Sequence, residues 1–352
     1  MQRICGSLQQ AGYAVTLVGR QWPVSRPLQP QIYAQHRLRC FFNKGKLFYL
    51  EYSLRLALFL IKRRDDAYCA IDLDTALPVF GKAFLAGKPF IYDAHEYFPE
   101  TPEVVRRPGV RRVWQAVERF VVPRTRHAYT VSASLAALFG ARYQVPFALI
   151  RNMPVSAAPS SDQALAGHSF MPAKPFILYQ GAVNEGRGLE QLLLAMPHVA
   201  MPLLICGEGD LLGRLKKQVG QAGLASRVTF AGYVLPAELA VISSQAFVGI
   251  MLLANTGQSY YYSLANKFFD YVQAGIPQLL PDFPEYRALN DACQVGLYCD
   301  LDPLNIARTL NQLIEDPDLH QRLAQNCRRA RQELCWQQEE KKLLAFYQNI
   351  WK

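Results

Sequence analysis

Two successive series of short apolar runs alternating with longer amphipathic stretches constrain this chain more than any other feature. Strand–helix–strand repetition with short connections admits parallel sheets whose faces are covered by helices. In the first series the periodicity predicts helices over 3–11, 47–61, 77–85, 110–122 and 135–143. Strands are predicted over 14–18, 68–72, 89–93, 128–132 and 147–151. A stretch rich in Ala, Ser and Pro, 153–175, has linker composition, and a second alternating series runs from Phe176 to about Leu334, followed by a last helix over 336–351. The reading is therefore α/β, with domains over 1–155 and 176–334, a linker over 156–175 and a terminal helix over 335–352.

A length of 352 residues, 51% of them hydrophobic and 19% charged, suits two α/β domains with substantial cores. Charge is unevenly spread. Residues 1–155 carry 22 Lys and Arg against 10 Asp and Glu, whereas the remainder carries 16 against 18. Arg106, Arg107, Arg111 and Arg112 cluster near Trp114, and Lys62, Arg63 and Arg64 follow the apolar stretch 47–61. Such a basic half fits a surface facing anionic lipid headgroups, the alternative being a solvated basic face with no membrane role. The stretch 47–61 contains Glu51 and Arg55 and is too short and too charged to span a bilayer, so it reads as a crossover helix. Residues 1–12 have the pattern of an amphipathic helix rather than a signal peptide, which predicts a cytoplasmic protein, peripheral at the inner membrane face. Eight scattered cysteines without C-x-x-C or Cys/His ligand spacing predict buried thiols and no metal site. The basic residues lie on no recognisable reading helix or aromatic platform, which argues against nucleic acid.

The segment L-A-N-K-F-F-D-Y-V-Q-A-G-I-P, 264–277, carries the most specific chemistry. Residues three and four apart share a helix face, so Asn266, Lys267 and Asp270 can converge on one ligand while Phe268, Phe269 and Val272 pack inward. Gly275 and Pro277 end the helix. Ahead of it, 248–253 reads as a buried strand and 254–262 as a polar loop leading to the helix N-terminus, where phosphates are attracted. A cation and a carboxylate one turn apart at such a place suit a nucleoside diphosphate.

This segment closely resembles the donor-binding segment of the family 4 glycosyltransferases, whose GT-B fold has two facing Rossmann-like domains. Further blocks carry the resemblance along nearly the whole chain: F-I-L-Y-Q-G-A-V-N-E-G-R-G-L (176–189), I-C-G-E-G-D (205–210), F-A-G-Y-V (230–234), Y-D-A-H-E (92–96) and A-I-D-L-D-T (70–75). By this resemblance Arg187, flanked by Gly186 and Gly188, stands where the family keeps a phosphate-binding Lys. Together with Lys267 it would hold the donor diphosphate. Glu208, Tyr233, Asn266 and Tyr262 would lie along the donor nucleoside and sugar, with Tyr233 near the base. Asp270 would take the ribose-binding role of a family Glu, one methylene shorter, and is a catalytic candidate beside His95. Tyr262 replaces a family carboxylate near the donor sugar. The last helix would pack back on the N-terminal domain.

His95 follows a predicted strand between Asp93 and Glu96, at an end where ligands bind in open α/β sheets, and is read as the residue contacting the transferred sugar or the incoming hydroxyl. Asp72, Asp74 and Glu96 are acceptor-side candidates, with helix capping an equal reading for the two aspartates. One departure is prominent: the chain opens with a helix and the strand 14–18, whereas the family opens with a central strand and a glycine loop. The expectation is that the true start lies upstream or that the gene is truncated. The alternative is a sheet that closes up over one fewer strand.

The resemblance implies a retaining, metal-independent enzyme that moves a sugar from a nucleotide sugar to a saccharide or lipid-linked acceptor of the cell envelope. No cofactor is expected. Arg187, Lys267 and two helix N-termini would meet the charge on the departing diphosphate. Two other readings are a sugar-nucleotide 2-epimerase on the same fold and a truncated remnant that binds nucleotide without turnover.

Overall fold

The computed structural model describes residues 1–23, 25–156, 170–172 and 175–351, so most of the predicted linker lies outside the described residues. The chain divides into two compact units. The first comprises Met1–Arg151, Gly257–Ser259 and Gln338–Lys352, and the second Asn152–Thr256 and Tyr260–Gln337.

In chain order the first unit contains α1 (Gln2–Gln10), β1 (Thr16–Gln21), β2 (Ala34–Arg39), α2 (Gly45–Ile61), β3 (Tyr68–Ile71), α3 (Asp72–Ala86) and β4 (Phe90–Ala94). There follow α4 (Pro102–Val105), α5 (Pro108–Val121), β5 (His127–Thr130), α6 (Ala133–Tyr143) and β6 (Phe147–Leu149). All strand pairs are parallel, as the alternation predicts, but they form two sheets: β3-β4-β5-β6, and β1 paired with β2 alone. The sheet does not close up, since β1 and β3 are not paired with each other. The strand β2 is absent from the sequence reading. Its residues A-Q-H-R-L-R place only Leu38 in the core, so no apolar alternation marks it. The helix α3 starts five residues before the predicted 77 because Pro78 sits inside it rather than at its start.

The second unit continues with β7 (Ile177–Gln180), α7 (Leu189–Ala195), β8 (Leu203–Cys206), α8 (Leu212–Gln221), β9 (Val228–Gly232), α9 (Pro236–Gln245) and β10 (Val248–Ile250). Then come the short α10 (Gln258–Tyr261), whose first two residues are counted with the first unit, α11 (Asn266–Ala274), β11 (Gln278–Leu280), α12 (Pro284–Cys293), β12 (Gly296–Tyr298), α13 (Pro303–Glu315) and α14 (Pro317–Ala330). Its six parallel strands run in the order β12-β11-β10-β7-β8-β9. This is the doubly wound arrangement, and the order reverses between β7 and β10. Alternate strand residues feed two apolar layers. Ile177, Tyr179, Val248 and Ile250 pack with α7, α8 and α13 on one face, and Phe176, Leu178, Met251 and Leu253 pack with α11 and α12 on the other. Phe268, Phe269 and Val272 of α11 are buried in that second layer as expected.

The last helix, α15 (Trp336–Ile350), belongs with the first unit from Gln338 onward. The Tyr347 ring packs against Tyr13 and Tyr129, and the buried Glu339 carboxylate accepts the amide of Arg151 at 2.8 Å. All eight cysteines are free, and among the described residues no helix is long and apolar enough to cross a membrane.

Candidate active site

In a doubly wound sheet, the crevice beyond the strand ends where the order reverses is left open by the helices departing to opposite faces. In the second unit that point lies beyond β7 and β10, and the sequence arms it with Arg187 and Lys267. The loop after β7 is held close. Gly186 and Gly188 have left-handed φ values of 78° and 69°, and a Cβ on Gly188 would stand 2.6 Å from Cβ of Leu252. The Gly186 carbonyl accepts the amide of Ala254 at 2.9 Å, which ties this loop to the one after β10. Arg187 leaves the loop with its guanidinium 4.8 Å from the ring centroid of Tyr260, and its Nε has no hydrogen-bond partner.

Lys267 enters from the first turn of α11. Its side chain is 7% exposed and its Nζ, 4.0 Å from the ring centroid of Tyr179, has no hydrogen-bond partner. Burial, and then the charge of Arg187, hold its amine well below the ordinary lysine value. Two basic side chains thus come together with no acid hydrogen-bonded to Lys267, an arrangement that suits an anionic ligand. The helix itself adds donors: its N-cap is Ala265, which has no side-chain acceptor, so α11 lacks a side-chain cap. The second expected dipole is weaker, because α7 has only seven residues.

Asp270, one turn beyond Lys267, is only partly buried and does not neutralise the amine. Instead Gln180 Nε2 donates to its Oδ2 at 2.9 Å, and Gln180 Oε1 accepts from the Ser243 hydroxyl at 2.7 Å. Beneath them the Tyr271 hydroxyl accepts the amide of Gln180 at 3.2 Å and reaches the carbonyls of Leu178 and Ile250 at 3.2 and 3.3 Å. The helix α11 is thereby pinned across β7 and β10. Asn266 is exposed and Tyr262 half-buried at the same end of the sheet, while Glu208 and Tyr233 are exposed after β8 and β9. Tyr261 packs on Phe283 and Tyr262 rather than on a vacant face.

His95, Asp93, Asp72, Asp74 and Glu96 belong to the first unit, at the ends of β3 and β4. Asp93 is fully buried, its Oδ2 accepts from the Tyr129 hydroxyl at 2.9 Å, and its Oδ1 lies 3.1 Å from His95 Nε2. With the imidazole protonated the two form an ion pair. Burial pulls the imidazole pKa down, but Asp93 and then Asp72 more than offset it, and the net result is a rise to about 9. Asp72 has a left-handed φ of 55°, rare for a residue with a side chain, and its Oδ1 accepts the amide of His95 at 2.8 Å. It therefore links the ends of β3 and β4, and α3 has no side-chain cap, the Thr75 hydroxyl instead bonding back to the amide and carbonyl of Ile71 at 2.9 and 2.7 Å. Burial raises the Asp72 carboxyl to about 8 and that of Asp74 to about 6.

The profile of Glycosyltransferase Family 4 matches residues 1–154, and that of Glycosyl transferases group 1 matches residues 162–330. The chain belongs to the family 4 glycosyltransferases. None of the curated proteins matches it in a sequence search. Among solved structures, the chain is similar to sucrose-phosphate synthase from Thermosynechococcus elongatus, at 17% identity and TM-score 0.80, with 99% of this chain and 92% of that one covered. It is also similar to Anabaena HepE in complex with UDP and glucose, at 15% identity and TM-score 0.74, covering 90% and 87%. A third is WaaG, a glycosyltransferase involved in lipopolysaccharide biosynthesis, at 15% identity and TM-score 0.66, covering 97% and 92%. At these identities the likeness shows the fold, which is GT-B.

In this glycosyltransferase the sequence reading missed the residues that hold the site from beneath. Gln180 and Ser243 lie far apart in the chain and meet only because β7 adjoins α9, and Tyr179 is one of many buried strand aromatics. Only the pairing of α11 with β7 reveals that they carry Asp270 and Lys267.

Proposed function

We propose that this enzyme transfers a sugar, with retention of anomeric configuration, from a uridine diphosphate sugar to a lipid-linked or polysaccharide acceptor of the cell envelope, without a divalent metal. The observation that carries the reading is the buried, unpartnered Lys267 Nζ beside Arg187 at the switch point. As the bond from C1 to the phosphate oxygen breaks, negative charge grows on the diphosphate. Arg187, the Lys267 amine, which regains its proton as the diphosphate binds, and the uncapped amides of α11 meet it there. The titles of the HepE structures, with UDP or UDP-glucose, and of a TarM complex with UDP support uridine as the base. The involvement of WaaG in lipopolysaccharide biosynthesis supports an envelope acceptor.

His95 with its raised pKa is an imidazolium at neutral pH. It therefore donates a hydrogen bond to the sugar or acceptor and does not act as the base. The acceptor proton passes to the departing phosphate oxygen in this reading.

The test is incubation with UDP-glucose and related donors plus envelope lipid extracts, in the presence of a chelator, with the product anomer read by proton NMR. Transfer with the donor configuration preserved and no loss on chelation is expected. An inverted product, a chelator-sensitive rate, or acceptor-independent conversion of the nucleotide sugar to its epimer would each refute the corresponding part.

A further inference from the structure

The helix α2 is apolar on both sides. One face, Phe48, Tyr52, Leu56 and Leu60, is buried in the first unit; the other, Leu47, Leu50, Leu54, Leu58 and Ile61, is between 54% and 69% exposed. A helix of this kind is normally covered all round, because each exposed leucine leaves apolar surface in water. The patch extends beyond one helix. The Ile61 carbonyl accepts from Lys82 Nζ of α3, and just beyond Lys82 stand Phe84 and Leu85, 75% and 86% exposed. Phe80 of α3 stacks with Phe84 and meets Phe120 of α5 edge-on, and the outward side of α5 adds Val113. A contiguous apolar face of this extent marks a contact surface.

We infer that this face lies in the headgroup and acyl boundary of an anionic bilayer, with α2 parallel to the membrane plane. Charge decides for lipid over another protein. Exposed Lys44 and Lys46 stand at the start of α2, exposed Lys62 and Arg64 follow it, and exposed Arg112 and Arg119 flank Val113 and Phe120 on α5. The nearby acids are largely spent internally: Glu51 on Arg55, Asp65 on Arg63 and Asp66 on Lys88, with Glu103 exposed on α4. A leucine stripe bounded by cations is the pattern that sinks shallowly into a negatively charged leaflet. The inference rests on the reading of an envelope acceptor, and it names how the enzyme would meet a lipid-linked one.

The test is co-sedimentation of the full chain with vesicles of phosphatidylcholine alone or of equal parts phosphatidylcholine and phosphatidylglycerol, with UDP binding as the check on folding. Expected is partition onto the anionic vesicles that weakens with salt. L54E/L58E, on exposed positions, should reduce it at least about 100-fold, and neutralising Lys44, Lys46, Lys62 and Arg64 together should reduce it on the order of 100-fold or more. A chain that binds UDP yet stays in solution with anionic vesicles overturns the proposal. So does a concentration-dependent dimer that L54E/L58E dissociates, since the face would then belong to a second copy. Transfer to a soluble acceptor analogue without vesicle binding removes the docking surface and leaves the function standing. Vesicle binding without any nucleotide-sugar turnover does the reverse.

Discussion

The Nζ of Lys267 rests 4.0 Å from the ring centroid of Tyr179, buried and without a hydrogen-bond partner, although a second cation, Arg187, lowers its proton affinity further. The ring face favours the charged form, but burial and the neighbouring guanidinium prevail. Binding of a diphosphate supplies the missing charge and restores the proton. UDP binding is therefore expected to take up protons, up to one, at pH values between the free and bound pKa of this amine. Titration calorimetry in buffers of differing ionisation enthalpy measures this directly. Lys267→Arg, which stays charged throughout, should abolish the uptake; an unchanged buffer dependence would assign the proton elsewhere.

The same amine costs the free enzyme stability. Its pKa is lower folded than unfolded, so the unfolded chain binds more protons and stability rises with pH up to the ordinary lysine value of 10.5. Lys267→Met should remove that slope and stabilise the unliganded protein by about 1–3 kcal/mol. It should also eliminate the thermal shift caused by UDP and lower kcat/KM by at least about 100-fold. Denaturant unfolding with and without UDP separates the two effects, and a variant destabilised in both conditions contradicts the account.

His95 gives a pH dependence of the opposite sense. Its folded pKa of about 9 lies above the ordinary 6.5, so its interaction with Asp93 contributes stability fully below 6.5 and loses it as pH rises through 9. If the imidazolium is the active form, activity has an alkaline limb near 9. Asp93→Asn should draw both the limb and the imidazole titration, followed by NMR, down toward 6.5. A limb that stays in place while the imidazole moves would show that another group sets it.

The loop after β7 tolerates no side chain at Gly188. Gly188→Ala combines a left-handed φ with a Cβ 2.6 Å from that of Leu252, and the expected loss is about 2–4 kcal/mol with displacement of Arg187 and weaker UDP binding. Gly213→Ala in α8, which meets nothing within 4 Å, is the control and should be neutral or slightly stabilising. Equal destabilisation of the two variants by chemical denaturation would refute the packing argument.

Much of the fold was legible because helical and strand periods are local. The predicted strands 68–72, 89–93 and 128–132 overlap β3, β4 and β5 to within two residues at either end. What escaped was non-local. The strand β2 was missed because Ala34–Arg39 draws its pairing from β1 and carries little apolar signal of its own. The division of the first unit's strands into two sheets depends on which strand edges pair, and periodicity says nothing of edges.

At the site, the chemical inventory is written locally along the chain. The glycine loop with Arg187, the N-K-F-F-D segment and the D-A-H-E strand end each carry their identity within one turn or loop, and spacing alone puts Asp270 one turn beyond Asn266 and Lys267. Their electrostatic states come from the folded arrangement. It put Lys267 over Tyr179 with no acid to neutralise it, turned Asp270 toward Gln180 and Ser243, and surrounded His95 with Asp93 and Asp72. Charge states in a protein interior depend on desolvation and on partners distant in sequence, and those exist only once the chain has folded.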